Sequence, residues 1–317
     1  MSVNRELGGH ALVQEHPSFV DPSPVVVSGG LLEAVRIEAV PELDQNGQKR
    51  EVGHPPATER SQLMTFARYP SLDNAAVFVT GGASGIGEQI VRAFADQGSK
   101  VGFLDIDETR GQALVDELAK DGREIRFEAV DLRDIDALKA AFGKLEAALG
   151  PAKVLVNNAA RDDRHGWETV TDDYYDERIG ANLKHMFFAT QAVAPGMIKA
   201  GKGGSIINFG SNSWWEASGG MPVYTTAKAG VHGMTRAFAR DLGPHRIRVN
   251  TVVPGWVMTE RQKSLWATPE ALEKHRQRQC LPDLIEPVYL ARMVLFLASD
   301  DAAMCTANNY MVEAGSI

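Results

Sequence analysis

Tyr224 and Lys228 stand four residues apart in Tyr224-Thr225-Thr226-Ala227-Lys228. On a helix that spacing puts a phenol and an ammonium on one face. A free tyrosine titrates near pH ~10 and is a poor base at neutrality. A nearby positive charge favours the phenolate and lowers that pKa. An enzyme that takes a proton from an alcohol needs such tuning. The spacing alone is common in surface pairs, so its meaning depends on what accompanies it.

A second constellation is Thr80-Gly81-Gly82-Ala83-Ser84-Gly85-Ile86-Gly87. A glycine-rich turn between strand and helix lets the backbone approach a pyrophosphate, and the helix N-terminus adds free N–H groups and a favourable dipole. Gly81, Ser84, Gly85, Ile86 and Gly87 are therefore candidate dinucleotide contacts. The same glycines would also make a tight turn that binds nothing, but the flanking strand and helix favour a nucleotide. Asp105 ends the next apolar run, eighteen residues beyond Gly87, where an adenosine ribose would lie. Its carboxylate accepts from two ribose hydroxyls and repels a 2′-phosphate, which points to NAD rather than NADP. No arginine follows Asp105 immediately or sits in the glycine loop. Capping of the following helix by Asp105 or Asp107 is the competing reading. Asp131 and Leu132, after a third strand, are placed to line an adenine pocket, with capping again in competition.

Both constellations need a scaffold to bring them together. Short apolar runs at 76–80, 100–105, 125–129, 154–157, 205–209, 247–252 and 310–312 read as strands. Helical patterns at 87–97, 108–120, 135–149, 172–199, 224–242 and 287–298 alternate with them. Apolar strands alternating with helices predict a parallel sheet covered on both faces, and right-handed crossovers leave the doubly wound α/β, or Rossmann, arrangement. One such domain accounts for 71–317. Residues 1–70 carry seven prolines and no sustained period, and read as an irregular or disordered extension. Met64 is an alternative start.

Composition narrows the function. The chain has 317 residues, 44% hydrophobic, with a net charge of -8. An acidic surface argues against nucleic acid and anionic membranes as main partners. The two cysteines, Cys280 and Cys305, form no CxxC pair and lie near no histidine at ligand spacing, so no metal is expected. No run spans a membrane, and the N-terminus lacks a secretory h-region. The expected location is cytoplasmic.

At this point the sequence resembles the short-chain dehydrogenase/reductase family over residues 75–317. Its TGxxxGxG loop matches Thr80 to Gly87 and its NNAG segment matches Asn157-Asn158-Ala159-Ala160. The catalytic serine matches Ser211, the active-site asparagine Asn182, the YxxxK pair Tyr224 and Lys228, and the PG segment Pro254-Gly255. The resemblance implies that Tyr224 exchanges the hydroxyl proton, Lys228 tunes it and holds the nicotinamide ribose, Ser211 binds the reacting oxygen, and Asn182 orders a relay water. It also implies cofactor contacts at Asn158, Ala159, Val257 and Thr259. Ala160 and the ending Glu313-Ala314-Gly315-Ser316-Ile317 depart from the family pattern.

Tyr69-Pro70-Ser71-Leu72, Asp162-Asp163-Arg164-His165, the segment 191–197, Trp214 and the segment 295–301 are similar to the aldose-oxidising branch of that family. That likeness implies oxidation of the anomeric carbon of D-xylose, or a related pentose or hexose, to a lactone. Asp162, Arg164, His165, Ser211, Trp214 and Tyr224 are the candidate sugar contacts. Two other readings stand beside it: a family dehydrogenase or ketoreductase acting on a less polar alcohol or ketone, and a non-catalytic NAD-binding redox sensor. The family also implies a homo-oligomer, a tetramer, through the helices that carry Asn182 and Tyr224. Met186, Phe187, Phe188 and Phe238 make those helices apolar on more than one stripe.

Overall fold

The structure is a computed structural model that describes residues 67–316, so the reading of residues 1–66 lies outside the described residues. Ala67 and Tyr69, assigned by sequence to the extension, are hydrogen-bonded to the domain: Gln97 donates to the Ala67 carbonyl and accepts from the Tyr69 N–H, both at 2.9 Å.

The first three strands are β1 (Ala76–Thr80), β2 (Lys100–Asp105) and β3 (Ile125–Ala129). After them come β4 (Val154–Asn157), β5 (Gly204–Phe209), β6 (Ile247–Pro254) and β7 (Asn309–Val312). They form one seven-stranded sheet, order β3-β2-β1-β4-β5-β6-β7, with every pair parallel. Every residue of β1, β4 and β5 is buried. That is why these runs are continuously apolar instead of alternating.

Helices cover both faces. On one face, α1 (Gly85–Asp96), α2 (Glu108–Ala119) and α9 (Pro287–Ala298) press Ile90, Phe94, Leu114, Leu290 and Val294 onto the sheet. On the other, α3 (Ile135–Leu149), α5 (His185–Ala200) and α6 (Pro222–Leu242) contribute Phe142, Leu145, Val193, Met197 and Ala239. The strand order reverses between β1 and β4, which opens a crevice beyond their carboxyl ends. Register aligns Thr80 with Leu104 and Asn157, and Asn157 with Asn208, so the loops after β1, β2, β4 and β5 gather at that crevice.

Two departures from the sequence reading matter for the site. The helix expected over 172–199 is α4 (Asp172–Ile179), a π-helical turn at Gly180–Lys184, then α5. Two short helices, α7 (Glu260–Leu265) and α8 (Pro269–Arg276), occupy a stretch with no expected element. Both start at threonine caps, Thr259 and Thr268.

Candidate active site

β1 delivers Gly81 to the wall of a cavity of about 860 Å³ in the crevice. Gly81 and Gly85 hold left-handed backbone, φ +69° and +58°, a conformation that costs glycine nothing. A Cβ on Gly87 would run into the Gly81 carbonyl oxygen. The turn is therefore tight enough for α1 to aim its N-terminus into the cavity. Ser84, the N-cap, makes no side-chain capping hydrogen bond, which leaves that helix end to an anionic ligand. Asn158 braces the turn, donating from Nδ2 to the carbonyls of Thr80 (3.1 Å) and Gly81 (2.9 Å). Thr80 Oγ1 accepts from the backbone of Asn158 and Ala159.

Asp105 lies on the same wall. Its two carboxylate oxygens accept from the Ala83 N–H at 2.9 Å and the Asp107 N–H at 3.0 Å. Helix capping belongs to Asp107, which accepts from the Arg110 N–H. Asp131 is gripped by Arg133 through Nε and Nη2, and those hydrogen bonds hold its carboxyl below the usual range. Here too capping falls to a neighbour, Asp134. Ile86, Leu132, Ala159, Pro254, Gly255 and Val257 complete this half of the wall. Thr259 lies on it as well, its hydroxyl capping α7 by accepting from the Gln262 N–H. An uncapped helix end, left-handed glycines and a fixed carboxylate on the same wall are the features of a dinucleotide site.

Ser211 follows β5, and Tyr224 stands in the first turn of α6; both line the cavity. Lys228 and Asn182 lie behind them, 1% and 0% exposed. Lys228 Nζ donates to the Phe209 carbonyl at 2.8 Å and sits 5.8 Å from the Tyr224 ring centroid. Burial pushes the lysine down to about 7, against the attraction of Asp162. Burial also pushes the Tyr224 phenol up, aided by the Asp162 charge and opposed by the Ser211 hydrogen bond and by Arg164. Burial is the largest influence on both groups, because it disfavours the charged form of each.

Asn182 occupies the middle of the π turn, where one extra residue re-aims the backbone. Its Oδ1 accepts from the Arg161 N–H at 2.8 Å and its Nδ2 donates to the Arg178 carbonyl at 2.9 Å. His185, which the sequence did not single out, is fully buried and donates from Nε2 to the Ala159 carbonyl, 3.1 Å away. It ties the turn to the segment beside the glycine loop.

The other end of the cavity is polar. Asp162 and Arg164 line it. Asp162 accepts from Gln262 Nε2 at 2.8 Å, and Gln262 Oε1 accepts from the Trp256 indole at 2.8 Å. Arg164 donates to Met221 Sδ and stacks 5.7 Å from the Trp266 ring centroid. His165 is not on this wall. Its ring is taken up by the Asp163 carbonyl, the Tyr174 hydroxyl and the Val223 N–H, so it joins the loop after β4 to the start of α6. Trp214 is also off the wall and donates to His232 Nε2 at 2.7 Å. Trp256 supplies the aromatic surface instead, with Asn212, Glu216 and His275 beside it. No spacing rule pointed to Gln262, Glu216 or His275, because they meet only through tertiary packing.

Among the described residues no group of acidic, histidine and cysteine side chains is arranged to hold a metal, and no helix is long and apolar enough to cross a membrane.

A family model described as enoyl-(acyl carrier protein) reductase matches residues 81–316. The D-xylose 1-dehydrogenase of Caulobacter vibrioides is 51% identical over 252 residues, covering 80% of this chain and 99% of that protein. A "probable galactose dehydrogenase" of Rhizobium meliloti is 45% identical over 250 residues, 78% and 97% of the two chains. Among solved structures, a 7α-hydroxysteroid dehydrogenase complexed with NADH and 7-oxo glycochenodeoxycholic acid superposes with a TM-score of 0.75. It is 30% identical and covers 80% of this chain and 98% of its own. A metagenomic blue fluorescent protein in complex with NADPH gives 0.71 at 33% identity, covering 77% and 98%.

Proposed function

The chain belongs to the short-chain dehydrogenase/reductase family, a family of nicotinamide-dependent oxidoreductases, and on that footing we propose that it oxidises the anomeric carbon of an aldose to a lactone with NAD. The observation that carries this reading is the convergence of Ser211 and Tyr224 with a polar wall of Asp162, Arg164, Gln262 and Trp256 in one cavity. Sugars need polar groups for hydroxyls and an aromatic face for C–H patches, and this wall offers both. Its likeness to a D-xylose and a galactose dehydrogenase supports the same substrate class.

The chain's own groups divide the work. Ser211 hydrogen-bonds the reacting oxygen and offsets the charge that develops there. Tyr224 takes the anomeric hydroxyl proton. Lys228, anchored to Phe209, holds the nicotinamide ribose, and Asn182 in the π turn keeps a proton path open behind the wall. When bound, an oxidised dinucleotide would supply the hydride acceptor for this step. Asp105 favours NAD, because its fixed carboxylate would meet a 2′-phosphate as a like charge. Assembly into a homotetramer through α5 and α6 belongs to the same proposal.

The test is initial rates of NADH formation with a panel of aldoses, repeated with NADP, with a less polar secondary alcohol, and with Tyr224→Phe. Turnover of a pentose or hexose with NAD, much slower with NADP and reduced at least about 100-fold in Tyr224→Phe, is expected. Turnover of the secondary alcohol alone would leave the family assignment standing and remove the sugar.

A further inference from the structure

His275 carries a feature that the reaction scheme does not use. It lies on α8, on the cavity wall, with its Nε2 buried and without a hydrogen-bond partner. A buried polar atom left unmatched costs free energy, and in native structures such an atom is met by ordered water or a ligand. Burial, with Arg278 beside it, pushes the ring's pKa down against the pull of Glu216 and so favours its neutral form. A neutral imidazole offers one donor and one acceptor, the pairing a hydroxyl group can satisfy either way.

Glu216 faces the same space. Its side chain is only 8% exposed. One oxygen accepts from Asn212 Nδ2 and the other from Arg278 Nη2 at 3.3 Å. A carboxylate has about four lone-pair positions, so two remain for a ligand. Asn212 is the residue next to Ser211, which places this cluster in continuity with the oxygen-binding serine. The Trp256 ring meets the His275 ring edge to face at 5.2 Å, with an interplanar angle of 82°. Trp256 Nε1 is already committed to Gln262, so what it presents beside the histidine is apolar surface.

We propose that His275 and Glu216 form a subsite that reads a hydroxyl on the sugar remote from the carbon being oxidised, with Trp256 covering the adjoining C–H face. This rests on the aldose reading and deepens it. The two residues belong to different segments, one after β5 and the other on the short helices after β6. The subsite therefore forms only when α7 and α8 lie over the cavity, and it makes discrimination among sugars a property of that cover. A less polar alcohol has nothing to offer either group.

The test is steady-state kinetics of the full chain with NAD, the aldose that wild type turns over fastest, and analogues of it each lacking one hydroxyl away from the anomeric carbon. His275→Ala, His275→Gln and Glu216→Gln are compared with wild type. In wild type, one deoxy analogue should lose at least about tenfold in kcat/KM relative to the parent sugar. In His275→Ala and Glu216→Gln the parent sugar should fall to the level of that analogue, mainly through KM, while the analogue itself changes less than about twofold. NADH affinity, read by fluorescence, should stay at the wild-type value. His275→Gln, which keeps polar atoms of similar reach, should recover part of the discrimination. Variants that bind NADH normally and lower every sugar alike, or that keep full discrimination, would overturn the subsite while leaving aldose oxidation intact. A wild type that oxidises no aldose would remove the aldose reading, and the subsite with it.

Discussion

Tyr224 and Lys228 show how burial and function pull in opposite directions at single residues. A lysine that is 1% exposed and titrates near 7 is a standing cost to the fold, because the unfolded chain holds its proton up to pH ~10.4. Above that pH neither state carries the proton. Below about 7 both do. In between, the unfolded chain is protonated and the folded one is not, so stability falls as pH drops through this window and remains lower beneath it. Lys228→Met should therefore melt at a higher temperature than wild type at neutral pH and below, although it leaves the Phe209 carbonyl without its donor. That advantage should shrink as pH approaches ~10, while turnover is lost throughout. Melting curves of the cofactor-free proteins across pH check this. A temperature difference that does not vary with pH would mean that the lysine's proton is not the source.

At the scale of elements, the parts legible in the sequence were those governed by short-range pattern. The alternation of buried strands with helices, the glycine turn between β1 and α1, and the carboxylate ending β2 all follow from periods and spacings within about twenty residues. The π turn at Gly180–Lys184 was not legible, because its residues fit an α-helical pattern and the extra residue is set by what Asn182 and His185 bond to across the fold. His165 and Trp214 looked like ligand residues by type and neighbourhood. Each instead spends its polar atoms on a structural partner, a matter of tertiary contact that no local pattern encodes. The cover of α7 and α8 was missed for a related reason: both helices are short, mostly exposed, and lack an apolar stripe. What holds the cover near the loop after β4 is polar, with Gln262 bridging Trp256 and Asp162 at 2.8 Å each and Arg261 reaching Asp163. Gln262→Ala cuts the bridge on both sides. It should raise KM for the sugar about tenfold, the worth of one or two such hydrogen bonds, and change KM for NAD little. An equal rise in both constants would show that α7 supports the whole cavity and not the sugar end alone.

For the whole molecule, the helices behind the catalytic residues carry a surface that a single chain leaves unused. Phe187 on α5 is 44% exposed, packs 5.1 Å from Phe238 of α6 and 5.5 Å from Phe188. Aromatic rings bury ~150–250 Å² each when covered, worth several kcal/mol at ~25 cal/mol per Å². A two-fold interface would cover this cluster with its own copy, since the same patch then meets itself. The net charge of -8 per chain opposes such assembly, but over a Debye length of ~8 Å in physiological salt that repulsion is largely screened. Covering the patch would also stiffen α5 and α6 directly behind the π turn and the Tyr224-Lys228 pair. Light scattering should therefore give wild type a mass of four chains of 34.4 kDa each, and Phe187→Glu a smaller assembly with a lower melting temperature and reduced turnover. Wild type at the mass of one chain would remove the homo-oligomer. An unchanged assembly in Phe187→Glu would move the interface elsewhere and leave the aromatic cluster as packing between α5 and α6 within one chain.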